Sequence, residues 1–171
     1  MTIPNVEAIA DGVFQLKNPV GVLDQSMIDM LISDCRSNIK KRSRINFHQS
    51  SSDLVQEMII AMHRDTDIFV HKHLAKSESF HVLHGEIAVV LFSGNSPDIS
   101  QVVNLNSSVG TNYYRLSCDL FHLVVPLTEV SIIHETTQGP FEPNSAQIAD
   151  WSLSDSGNGI VKSIKQTLLR K

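Results

Sequence analysis

From residue 44 onward the chain alternates between short apolar runs and polar punctuation. Runs rich in Val, Ile and Phe recur, parted by Gly, Pro, Asn and Ser. This texture predicts strands near 44–48, 56–62, 67–71, 79–83, 86–92, 99–105, 111–117, 121–126 and 129–135. SGNSPD (93–98) reads as a hairpin loop. Many short strands at regular spacing predict an all-β sandwich or barrel. Upstream, VFQL (13–16) alternates as a short strand would. Met27, Met30, Leu31 and Cys35 fall at helical spacing over about 25–38, and Asp24 or Ser26 can cap that helix. Residues 136–151 read as an ordered but irregular closing segment. SLSDSGNG (152–159) has the composition of a linker. IVKSIKQTLLRK beyond it is either a short amphipathic helix through Ile160, Ile164 and Leu168 or a frayed tail. The expected organisation is a strand and helix in 1–43 packed on a barrel of 44–151, then a linker and C-terminal tail in 152–171.

Composition sharpens this picture by exclusion. The 171 residues are 42% apolar and 19% charged, which suits one domain able to bury a core unaided. The formal net charge of −4 offers no global field for nucleic acid or an anionic membrane. Cys35 and Cys118 lie far apart, so free thiols in a reducing compartment are the simpler reading. The N-terminus carries Glu7 and Asp11 where a secretory signal would be basic, and no apolar run is long enough to cross a membrane. The expected location is the cytoplasm.

The candidate chemistry concentrates in VHKHLAKSESFHVLHG (70–85), which holds four of the eight histidines. On a strand, His71 and His73 place both rings on one face. Glu78 follows across a short turn, and Gly85 sits where a tight turn would need it. Imidazoles with a carboxylate suit one divalent transition metal such as Zn, Fe, Mn or Ni. Ligands from two paired strands leave coordination positions open, as a working site requires. His122, in LFHLVVP, can fold back from a later strand as a fourth ligand. The alternative is that these histidines are surface polar residues on a β-ribbon. His81 has the opposite parity to Glu78 and should point outward, while His84 lies at the far end of its strand. No partner is evident for His63 or His134.

His71-Lys72-His73, Glu78 and Gly85 resemble the first motif of the cupin superfamily, and His122 resembles the histidine of its second motif. The resemblance implies a double-stranded β-helix, a jelly-roll barrel with a metal in its mouth. Asp65 stands where that pattern has a glycine, Ser117 and Asp119 replace its proline and glycine, and Pro126 replaces its asparagine. A narrower set comprises Arg44, Asn46 and His48, then Gln56-Glu57-Met58, Glu135, Gly139-Pro140-Phe141, Ala149 and Trp151. It resembles the WbuC-type cupin-fold metalloproteins over about residues 13–153. That family occurs with genes for bacterial surface-polysaccharide (O-antigen) biosynthesis.

Arg44, Asn46 and His48 share strand parity and would suit an anionic or hydroxyl-rich ligand together. Otherwise Arg44 belongs to the solvated KKRSR patch and Asn46 to a turn. His48, Glu57 and Glu135 are the acid–base candidates, since a carboxylate near a metal can be tuned toward neutrality. Tyr113 and Tyr114 adjoin, so one faces in and one out, and Tyr113 is the candidate for substrate contact. Three functions are expected from this set. The first is a metal-dependent isomerase or epimerase of a sugar or nucleotide-sugar. The second is an Fe(II)-dependent dioxygenase. The third is a non-catalytic metal-dependent small-molecule sensor. A homodimer is also expected, because exposed sheet edges can pair between copies.

Overall fold

A computed structural model describes residues 5–143 and 145–170. In chain order it holds β1 (Val6–Ala10), β2 (Val13–Leu16), α1 (Gln25–Ser37), β3 (Arg42–Asn46), β4 (Val55–His63), β5 (His71–His73) and β6 (Glu78–His84). There follow β7 (Glu86–Phe92), β8 (Ile99–Asn106), β9 (Tyr113–Leu116), β10 (His122–Pro126), β11 (Val130–Gln138), β12 (Ala146–Ile148), a 3-10 turn (Asp150–Leu153) and α2 (Asp155–Leu169). The strands form a seven-stranded sheet, β1-β2-β3-β4-β11-β6-β9, facing a five-stranded sheet, β12-β5-β10-β7-β8. Except for the parallel β2–β3 pair, neighbouring strands run antiparallel. The fold is the all-β cupin jelly roll.

Side-chain parity builds three apolar layers from these strands. Met58, Ile60 and Met62 of β4, Phe80 and Val82 of β6, and Val89 and Val124 of the other sheet meet between the sheets. The alternate residues of β3, β4 and β11 (Ile45, Ile59, Ala61, Ile132) face outward under α1, which buries Met27, Leu31 and Cys35. Asp24 caps α1 by accepting from the Met27 amide at 3.0 Å, a contact of the kind worth about 1 kcal/mol. The outer face of the five-stranded sheet (Val70, Ala88, Val90, Phe92, Leu123, Val125) is covered by Trp151 and by Val161, Ile164 and Leu168 of α2.

That third layer corrects the reading of the C-terminus. Residues 152–159 are no linker, because Ser154 accepts from the Gly157 amide at 3.0 Å and starts α2. Gly157 is required there, since a Cβ would lie 1.8 Å from the Trp151 carbonyl oxygen. The strand expected at 67–71 begins only at His71, where β5 pairs with β10 and β12. β1 and β12 carry no clear alternation and went unseen. Gly85 does turn β6 into β7, at φ +72°, with Thr128 Oγ1 only 2.2 Å from where a Cβ would sit. Both cysteines are free, and no helix among the described residues is long and apolar enough to cross a membrane.

Candidate metal centre

His71 and His122 are register partners on β5 and β10, so the sheet itself brings them side by side. Their ring centroids lie 4.4 Å apart, and His73 stands 4.9 Å from His71 and 5.7 Å from His122. Each of the three offers a ring nitrogen within 4.8 Å of the others. Glu78 reaches the group from β6 on the opposite sheet. One carboxylate oxygen lies 3.2 Å from His73 Nε2 and the other 3.0 Å from His122 Nε2. The turn between β5 and β6 puts Ala75 at φ +54°, and Asp119 Oδ1 accepts from its amide at 3.0 Å. Asp119, a departure from the superfamily pattern, thus fastens the strand entering His122 to the turn that delivers Glu78.

The donor set fits a divalent metal. His71 Nδ1 lies 2.9 Å from the Phe69 carbonyl oxygen and His122 Nδ1 lies 3.0 Å from that of Leu120. A carbonyl only accepts, so both Nδ1 atoms carry a proton and the Nε2 atoms are the ones turned toward the site. His122 Nε2 and Glu78 Oε1 are fully buried, close together, and miss the geometry of a hydrogen bond. Burial disfavours a charged His122, but the Glu78 carboxylate outweighs it and raises the ring's pKa, so a positive charge, proton or metal, is what this pair of atoms stabilises. Burial, with the neighbouring His122, pulls His71 down to about 4, so it is neutral at pH 7 as a ligand must be. Burial pushes Glu78 up, but contacts with His122 and His73 outweigh it and leave the carboxyl at about 2.

Above this cluster opens a cavity of about 540 Å³. Arg44, Asn46, His48 and Glu135, all singled out by sequence, line it together with His71, His73 and Glu78. Registers across the first sheet explain the placement. Gln56, Thr137 and Glu78 form one inward row, and Asn46, Met58, Glu135, Phe80 and Tyr114 form the next. Burial, reinforced by the charge of Glu78, raises Glu135 to about 7. His48 lies beyond the end of β3, its Nδ1 held against the Glu57 backbone at 3.0 Å from the carbonyl oxygen.

Two candidates fall outside. Glu57 has the opposite parity to Gln56 and Met58 and lies on the outer face, 3.5 Å from His134 Nε2. Tyr113 is 55% exposed beside His81, while Tyr114 turns inward, stacks on Phe80 at 5.6 Å and leaves its hydroxyl without a partner among the described residues. Burial pushes the Tyr114 hydroxyl well above its ordinary value. Sequence reasoning missed Gln15 and Gln56 as supports. Gln15 Nε2 donates to the His48 carbonyl, and its Oε1 accepts from Asn46 Nδ2 at 3.2 Å. Gln56 Nε2 ties down the 50–53 loop through the Asp53 carbonyl at 2.8 Å. The parallel pairing of β2 with β3, which aligns Gln15 with Asn46, would have been the signal.

Two facing sheets with three histidines and a glutamate in the mouth define a cupin-fold protein with a candidate metal centre. The model of a domain of unknown function, DUF6016, matches residues 23–104. No curated protein matches the chain in sequence. Among solved structures, the capsular polysaccharide assembling protein CapF from Staphylococcus aureus is similar with a TM-score of 0.54 and 16% identity. That match takes in 65% of this chain and 32% of CapF, so the chain spans about a third of CapF's length. Protein SO0799 from Shewanella oneidensis is similar with a TM-score of 0.58 and 10% identity, over 82% of this chain and 95% of that one. At these identities the likeness is one of fold.

Proposed function

We propose that this chain is a metal-dependent enzyme of the isomerase or epimerase type. Its substrate is a sugar or nucleotide-sugar in bacterial surface-polysaccharide (O-antigen) biosynthesis. One observation carries the reading: Glu135, a carboxyl poised near neutrality, shares a cavity wall with Glu78 and the histidines. The resemblance to WbuC-type proteins adds support, since Arg44, Asn46, His48, Gln56, Glu135 and Phe141 all line that one cavity. So does the likeness to CapF, a protein whose own role is capsular polysaccharide assembly.

His71, His73, His122 and Glu78 would hold the metal, which when bound polarises a carbonyl or neighbouring hydroxyl of the ligand. The chain's own groups do the rest. Glu135 near neutral pKa accepts a proton from the carbon beside a ligand carbonyl, whose oxygen takes up the electron pair as an enolate, and returns the proton from its own side to the neighbouring carbon, as an isomerisation requires. The apolar wall of Met58, Ile60 and Ile133 keeps bulk water from competing for that proton. His48 and Asn46 orient hydroxyl groups. The homodimer belongs to the same proposal, with β1 at the end of its sheet as the pairing edge.

The test begins with metal analysis of protein purified without chelator or a histidine tag. Wild type should hold about one equivalent of transition metal per chain, and His71→Ala and His122→Ala should lose it. A wild-type protein that holds none and gains no thermal stability on adding Zn²⁺ or Mn²⁺ defeats the metal reading. The chemistry is then tested by deuterium exchange at carbon in a panel of nucleotide-sugars. Glu135→Gln should abolish exchange while retaining metal.

A further inference from the structure

We propose that the substrate is an acidic sugar, a polyol bearing an anionic group, and that Arg44 and Asn46 form the subsite for its anion and an adjoining hydroxyl. This rests on the sugar reading above and narrows it.

Arg44 stands in the cavity wall contributed by β3, and the histidines stand in the facing sheet. Its guanidinium is largely withdrawn from water, and its Nε is buried with no partner among the described residues. The charge of the Glu135 carboxyl reaches it, yet Arg44 makes no ion pair among the described residues. A partly desolvated guanidinium that no carboxylate engages directly keeps donors to spare, and an anion in the cavity would use them. The feature is local, because the chain as a whole carries a net charge of −4. Arg42, exposed at the rim on the same face of β3, extends the positive wall toward solvent.

Asn46 supplies the second half. It is 6% exposed, and its orientation is fixed because Nδ2 donates to Gln15 Oε1 at 3.2 Å. Its Oδ1 is buried and unpaired among the described residues. A buried amide oxygen in that state is an acceptor awaiting a donor, and a hydroxyl of the ligand would provide one. Two positions apart on one strand, Arg44 and Asn46 are separated by roughly 7 Å of backbone and face the same space. One wall thus offers a cation and a neutral acceptor side by side. A simple inorganic anion would use only the first, and a neutral sugar only the second. A sugar acid or sugar phosphate uses both.

The probes are D-glucuronate, D-glucose 6-phosphate and D-glucose at equal ionic strength, read by thermal midpoint and calorimetry on the protein as purified without chelator, its metal content recorded. At least one anionic sugar should bind tenfold or more tightly than glucose, with affinity falling as salt is added. Stabilisation by glucuronate assigns a carboxylate, and by the phosphate alone a phosphate. Arg44→Gln should erase the preference, and Arg44→Lys, which keeps charge and loses the fork, should retain part of it. Equal binding of all three probes, binding of none, or a preference surviving in Arg44→Gln overturns the proposal. Metal content reports separately. A protein that prefers the anionic sugar yet binds no metal sinks the metal-dependent reading and leaves the subsite standing.

Discussion

Gln56 and Glu57, Glu135 and His134, and Tyr114 and Tyr113 are three pairs of sequence neighbours that the seven-stranded sheet sends to opposite sides. Inside, Gln56 pins a loop, Glu135 is lifted to about 7 and Tyr114 is sealed against Phe80. Outside, Glu57 and His134 meet at 3.5 Å in solvent reach and Tyr113 is exposed. The residue types on the two faces are nearly the same. What differs is whether water can relax the charge, and hence whether a carboxylate or hydroxyl acquires unusual chemistry.

The sharpest way to break the contrast is to delete one histidine from the interior between the sheets, His122 of β10, and one from the outer face of the seven-stranded sheet, His134. His122→Ala removes a fully buried side chain from the metal group and should weaken metal affinity by a hundredfold or more. It should also cost about 2–4 kcal/mol of holoprotein stability. His134→Ala should leave metal affinity unchanged and shift stability by less than about 0.5 kcal/mol. Metal titration and denaturant melts read both. If the two variants behave alike, the faces are not distinct.

A smaller effect comes from the carboxyls. Glu135 has a folded pKa of about 7 against an ordinary 4.5. Between those values the unfolded chain loses its proton while the folded one keeps it, so metal-free stability falls as pH rises from about 4.5 to 7 and the penalty persists above. Glu135→Gln should remove that slope and gain about 1–2 kcal/mol at pH 8 relative to wild type. The ceiling of about 3 kcal/mol, at 1.36 kcal/mol per unit, is reduced by water in the cavity. Bound metal should flatten the wild-type slope by drawing the Glu135 pKa down. The smallest contrast is Tyr114→Phe against Tyr113→Phe. The first discards a buried hydroxyl that has no partner and should be neutral or stabilising by up to about 1 kcal/mol. The second should lie within about 0.5 kcal/mol of wild type by thermal melting.

These pairs also show where sequence reading stops. His71, His73 and Glu78 were legible because the two-residue repeat and the glycine-bounded strand fix parity within one hairpin. α1 was legible from Met27, Leu31 and Cys35 with Asp24 in front. The choice between Tyr113 and Tyr114 depends on the register of β9 against β6, which no local pattern encodes. Gln56 and Glu57 present the same difficulty on β4. α2 was obscured because Gly157 and Gly159 read as linker. Its helicity is supported by Val161, Ile164 and Leu168 packing on a distant sheet.

The carbonyls of Phe69 and Leu120 that orient His71 and His122 each lie two residues before the ring they hold. Neither is a side-chain atom. No ordinary point substitution can delete them, so the direction of the two metal-facing nitrogens is inherited with the backbone. Mutational drift in this fold can therefore change what the cavity accepts, through Arg44, Asn46 or Glu135, far more readily than it can turn those two imidazoles. The centre is robust for the same reason that its specificity is evolvable.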